Sequence, residues 1–245
     1  MKIVLSRKGF DSGSGGGSSP IVANDGGLRP VSLPIPDTKG IARTTYGDLG
    51  LGELAHAASR GAYGAQSLCH HDPMFTDGGR CIFGQVGAAQ THLANHGVGR
   101  GDVFVFFGRF DGAGQGPHHR IFGYLEVEQM IDLARCDDAV RAEYAALGHP
   151  HALGMHGGND TLYVGPGRMA ARASDTLRLT APGEALSRWE RPRWLRRGDL
   201  SYHDAVWRWA ERGRLIAVSR GQEFVADVGR RKAPREWLAG VLAEI

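Results

Sequence analysis

Histidines and the carboxylates beside them are where this sequence holds groups able to do chemistry. Many of its 11 His are clustered: His70-His71 before Asp72-Pro73, then His118-His119, then His149, His151 and His156. An imidazole titrates near neutral pH, so it can move a proton or ligate a metal. Neighbours on an extended chain point to opposite faces, so each adjacent pair offers one ring to a site. In His149-Pro150-His151 the two His are two apart. On an extended backbone both rings fall on one side, and Pro150 biases His149 toward that geometry. Asp72, His71, His149 and His151 are therefore the candidate catalytic groups, for acid–base work or phosphate contact. His71, His149 and His151 are also candidate ligands for a divalent metal such as zinc, iron or manganese. A purely structural role for each is the alternative. A two-His one-carboxylate iron site is written H-x-D, and the closest sequence, His71-Asp72, lacks the spacer residue. His118 and His119 are expected in a Gly-rich loop, facing water. Cys69 and His70 are adjacent, and adjacent side chains rarely face each other as nucleophile and base.

Arg7 and Lys8 stand just before Gly9-Phe10-Asp11, beyond an expected first strand. There either cation can meet a phosphate, and Asp11 can take a proton or bond to a base edge. Ser12 and Ser19 bound a run, DSGSGGGSS, whose backbone N–H groups and hydroxyls can face an anion. A plain flexible loop is the other reading, and no G-K-[ST] follows to make it a P-loop. Asn159 can pair with a base edge and Tyr163 can stack on a base, although both also suit a turn and a core. Residues 188–197, RWERPRWLRR, mix Trp with Arg188, Arg191, Arg193, Arg196 and Arg197. The combination suits phosphate contact and stacking, or two core Trp with solvated Arg.

The wider composition limits the function. The formal net charge of +3 is uneven, because residues 161–245 carry 16 basic and 10 acidic side chains. A surplus of positive charge favours polyanions. Three Cys without C-x-x-C spacing argue against a disulfide framework and a Cys-rich zinc site. No apolar run is long enough for a membrane span, and the short apolar start is not a signal peptide, so a cytoplasmic protein is expected. There is no Rossmann glycine fingerprint.

The elements that must position these groups are an α+β set. Strands are expected at Lys2–Leu5, Val103–Phe107, Ile121–Val127, Thr161–Val164, Leu177–Leu179 and Gln222–Asp227. Helices are expected at Tyr46–Arg60, Gln85–Asn95, Asp137–Leu147, Ser201–Arg212 and Glu236–Glu244. Residues 99–128 read as a strand–loop–strand unit. The 37 Gly promise sharp turns and long loops within one integrated domain over 1–245.

Several segments in order resemble one family: KIVLSRKGFDS, SLPIP, HHDP, FGQVGAAQTHL, GVGRGDVFVFFGRF, HRIFGYLEV, HPH, NDTLYV and GQEFV. That family is the third of the nucleotide modification associated domains, tied to DNA base hypermodification through phage and bacterial gene neighbourhoods. The resemblance implies a component acting on a nucleobase, nucleotide or DNA, alongside other DNA-modification enzymes. It does not fix a reaction. A second likeness, of GD–VFVFF–GYLEV to PUA, ASCH and EVE barrel domains, implies a mixed or antiparallel, partly barrel-like sheet with flanking helices. It also implies an alternative function, a non-catalytic reader of modified bases. An enzyme should gather Asp11, His71 and His149 or His151 around one cleft, whereas a reader should offer an aromatic-lined pocket.

Overall fold

The structure is a computed structural model that describes every residue except 155, 156 and 220. In chain order the elements are β1 (Lys2–Arg7), β2 (Ser19–Asn24), β3 (Gly27–Pro30), β4 (Ile35–Pro36) and α1 (Gly52–Ala58). Next come β5 (Cys69–His70), β6 (Met74–Thr76), β7 (Arg80–Gln85), α2 (Gly87–Asn95), β8 (Val103–Asp111) and β9 (His118–Glu126). The remainder is β10 (Gln129–Asp132), α3 (Asp138–Ala146), β11 (Thr161–Met169), β12 (Arg188–Glu190), β13 (Arg214–Ile216), β14 (Glu223–Asp227) and α4 (Lys232–Ala243).

The run VFVFF is apolar at every position because both faces of β8 are covered. Val103, Val105 and Phe107 join Ile3, Leu5 and Phe224 in one core, closed by Trp189 and by Leu238 and Val241 of α4. Phe104 and Phe106 join Val4, Phe83 and Tyr163 in the other. The main sheet runs β14-β1-β8-β9-β11-β7-β6. It is mixed, since β1 pairs parallel with β8 and antiparallel with β14. The sheet curls until Phe83 of β7 meets Phe104 and Phe106 of β8 edge-on, at 5.0 and 5.2 Å between ring centres. It does not close into a barrel. Between the ends of β7 and β14 the link is a side-chain bond, Gln85 Nε2 donating to Glu223 Oε1 at 2.7 Å.

Several expectations need correction. β11 runs through Gly165-Pro166 instead of stopping there, with those two residues paired to Cys81 and Arg80. Where a strand was expected at Leu177–Leu179, Asp175–Leu177 is a short 3-10 turn. In Ser201–Arg212 only Val206–Trp209 is helical, again as 3-10. Trp207 is exposed there, so no apolar face holds a longer helix together. His118 and His119 are buried in β9 and do not face water. The hairpin of β2 and β3 lies where only a loop was expected, with its turn at Asp25-Gly26.

Candidate functional site

The open seam of the curled sheet forms a cleft of about 450 Å³. One wall follows β1 and carries Arg7, Lys8 and Asp11. Another is the end of β7 and the residue after it, Gly84 to Val86, and a third is made by Ser219, Gly221 and Gln222 ahead of β14. His70, Asp72 and His151 occupy its inner end.

That inner group is positioned from three directions. β5 pairs with β4, His70 opposite Ile35, which turns His70 into the cleft and His71 away from it. Two residues later Asp72 is only 4% exposed at its side chain. Its Oδ1 accepts the backbone N–H of Gly84 at 2.9 Å. Its Oδ2 lies 3.8 Å from Nε2 of His70 and 3.8 Å from Nε2 of His151. On the far ring nitrogen, Nδ1 of His151 contacts Oδ1 of the buried Asp160. A Cβ at Gly84 would stand 2.2 Å from Cδ2 of His151, so only glycine lets the ring lie there. Burial alone would raise the Asp72 pKa. Contact with His149 and the charges of His151, His149 and His70 overcome it and hold the carboxyl well below its usual range.

The sequence-named residues divide accordingly. Arg7, Lys8, Asp11, Asp72 and His151 are brought together at the cleft. His149 is fully buried behind Asp72, with Nε2 3.4 Å from Oδ1. His149 is extended as expected, but His151 lies inside a 3-10 turn (Pro150–Leu153) rather than continuing an extended run, and both rings still approach Asp72. His71 is not in the cleft. It lines a separate cavity of about 480 Å³ with Pro73, Phe75 and Phe122, and burial lowers its pKa. His156 lies outside the described residues.

The binding candidates fare unevenly. Arg7 donates to the carbonyls of Ser219 and Val218, both at 2.7 Å, and burial lowers its pKa against the opposing pull of Asp11. Lys8 is engaged with Glu223, Nζ to Oε1 3.0 Å, over the ring of Phe83. Asp11 Oδ1 takes the N–H groups of Gly13 and Ser14 at 2.7 and 2.8 Å, so these donors of the Gly-rich loop serve its own carboxylate rather than an outside anion. Ser12 is exposed in a neighbouring recess of about 380 Å³ that also holds Arg109. Ser19 is buried and accepts from Leu33 N, a structural bond. Asn159 is not at the cleft: its amide ties down the start of α2 through Gly87 and Thr91. Tyr163 is core, donating to Gln90, and burial pushes its pKa up to about 12. Arg193, Arg196 and Arg197 are exposed and line neither the cleft nor the recess. Trp189 is buried and Trp194 packs on Trp237, so neither ring is displayed for stacking.

Sequence reasoning passed over His70, Asp160, Gly84 and Glu223. The signal for His70 was present: His70-His71-Asp72 is an H-x-D when counted from the first His. His70, Asp72 and His151 form a donor set whose ligand atoms lie within 4.8 Å of one another.

An open mixed sheet with a polar cleft lined by His, Asp and cationic residues defines the class: an α+β protein with a histidine–carboxylate site. The chain belongs to the nucleotide modification associated domain 3 family, whose model matches residues 2–227 of the 245. It is thereby associated with nucleotide modification. No curated protein and no solved structure matches it. Among the described residues no helix is long and apolar enough to cross a membrane.

Proposed function

We propose that this protein is an enzyme of DNA base hypermodification that acts on a nucleobase, presented as a nucleotide or in DNA, in the His70–Asp72–His151 cleft. The observation that carries this reading is the convergence of Asp11, Asp72 and His151 on one cleft with Arg7. Imidazoles beside a carboxylate can take and return protons at a bound base. Arg7, and Arg109 in the adjoining recess, form no salt bridge among the described residues, so their charge is available to a phosphate. Arg193, Arg196 and Arg197 supply a separate, sequence-blind contact to a longer DNA.

A non-catalytic reader would stack the base on aromatic rings. Among the described residues the cleft is lined by no Phe, Tyr or Trp. The cavity beside His71, with Phe75 and Phe122, is the place such a reading would require.

Incubation with normal and hypermodified nucleosides, nucleotides and DNA, read by mass spectrometry, tests the proposal. A mass change in one of them supports it. Tight binding with no mass change across the panel, lost on Phe75→Ala, would establish the reader instead.

A further inference from the structure

We propose that His70 Nε2, Asp72 Oδ2 and His151 Nε2 form a mononuclear site for a divalent first-row transition metal at the inner end of the cleft. The inference deepens the enzyme reading of the same cleft and rests on it only for what the metal would do.

The donor chemistry is selective. Two imidazoles and one carboxylate suit iron, zinc, cobalt or manganese far better than magnesium or calcium, which prefer all-oxygen shells. Among the described residues the site offers three protein ligands, the number that catalytic rather than structural sites use. The spacing is close to what binding needs. Ligands about 2.1 Å from a metal stand roughly 3.0–3.4 Å apart, so the 3.8 Å separations close by less than about 1 Å.

The outer shell is the second, independent observation. Metal-bound His usually gives its other ring N–H to a carboxylate, which fixes the tautomer and aims the lone pair. Asp160, side chain buried, meets Nδ1 of His151 in that way and leaves Nε2 toward Asp72. Asp72 is held likewise. Its Oδ1 is taken by Gly84 N–H and faces His149, so Oδ2 is the atom aimed between the two imidazoles. Gly84 serves both ligands, by donating to Asp72 and by leaving room for the His151 ring. Along the chain His70 ends β5, and His70 and Asp72 both reach the cleft whereas His71 between them lines the other cavity.

Cobalt(II) titration of chelator-stripped protein, followed by visible absorption and calorimetry with no nucleotide present, tests the site. Expected is one equivalent bound, with ligand-field bands of an N/O site. His70→Ala and Asp72→Asn should abolish it, Asp160→Asn should weaken it by about 10–100-fold, and His96→Ala should leave it unchanged. His70 is partly exposed, so its variant reports binding rather than folding, and circular dichroism confirms the fold. Folded wild-type protein that binds no cobalt, zinc or manganese, or equal binding by wild type and His70→Ala, overturns the proposal. Because no substrate is used, that failure is separate from a failure to find nucleotide chemistry.

Discussion

Gly84 and His151 approach so closely that the imidazole lies where a Cβ on Gly84 would be, with Cδ2 2.2 Å and Cγ 2.4 Å from that position. Gly84→Ala must therefore push His151 off Asp72. Overpacking of this kind costs about 1–3 kcal/mol, a fall in Tm of several degrees. The double variant Gly84→Ala/His151→Ala removes the clash and should regain most of the loss. Thermal melts of the four proteins in that cycle check it, and simple additivity would show that the contact is not the cause.

Lys8 is held by structure before it can hold a substrate. Its Nζ and Glu223 Oε1 pair at 3.0 Å, with Ser6 and Gln85 also donating to that oxygen. Removing one partner of a buried pair leaves an uncompensated charge, at a cost of about 3–5 kcal/mol. Lys8→Met should be destabilised on that scale, and adding Glu223→Gln should restore much of it. Urea unfolding of both variants decides the matter. A Lys8→Met protein as stable as wild type would return Lys8 to the list of free phosphate ligands.

Acid should weaken the fold through two buried imidazoles. Burial, with Arg7 and Arg109 nearby, lowers the pKa of His119 to about 3, and burial lowers His203 to about 4. Each ring also accepts a bond that protonation would remove, from Trp189 Nε1 to His119 Nδ1 and from Val218 N to His203 Nε2. Both folded pKa values lie below the unfolded value near 6.5. The unfolded chain then binds more protons in this window, and stability is full above pH 6.5 and falls toward pH 4 and 3. At pH 5 the loss is roughly 2 kcal/mol for each His. Unfolding free energies at pH 7.5 and pH 5 test this, and a flat profile would contradict it.

The Arg-rich segment should act at long range. Replacing Arg193, Arg196 and Arg197 by Ala should weaken DNA binding and flatten its dependence on salt, because each phosphate contact contributes to the salt slope. The fold should be unchanged, since all three side chains are exposed. Equal binding by wild type and variant across a salt series would make the segment a solvated face.

Strong local patterns were legible in the sequence. The VFVFF run and the helix ending before Gly97 read correctly, and the closing helix with Leu238 and Val241 was placed rightly although it starts a turn earlier, at Lys232, because periodicity and end signals agreed with burial. Ser201–Arg212 misled because Trp207 and Trp209, two apart, do not share a helical face, and Trp207 is exposed. The site was half legible. The rule that adjacent His face opposite ways was right, but which one faces inward depends on the pairing of His70 with Ile35, a contact 35 residues away in the chain. Asp160 and Gly84 were invisible for the same reason. Their importance comes from tertiary approach to His151 and Asp72, which spacing does not encode.

The most direct test of the central claim compares wild type, Asp72→Asn and the Arg193/Arg196/Arg197→Ala triple variant on one panel. Nucleosides, nucleotides and DNA, normal and hypermodified, are incubated with each protein and divalent metal, then digested and weighed by mass spectrometry. The account predicts a mass change on one substrate with wild type, its loss in Asp72→Asn, and its retention in the triple variant on free nucleotide. A mass change that survives Asp72→Asn unaltered, or none on any substrate with metal-loaded wild type, would contradict it.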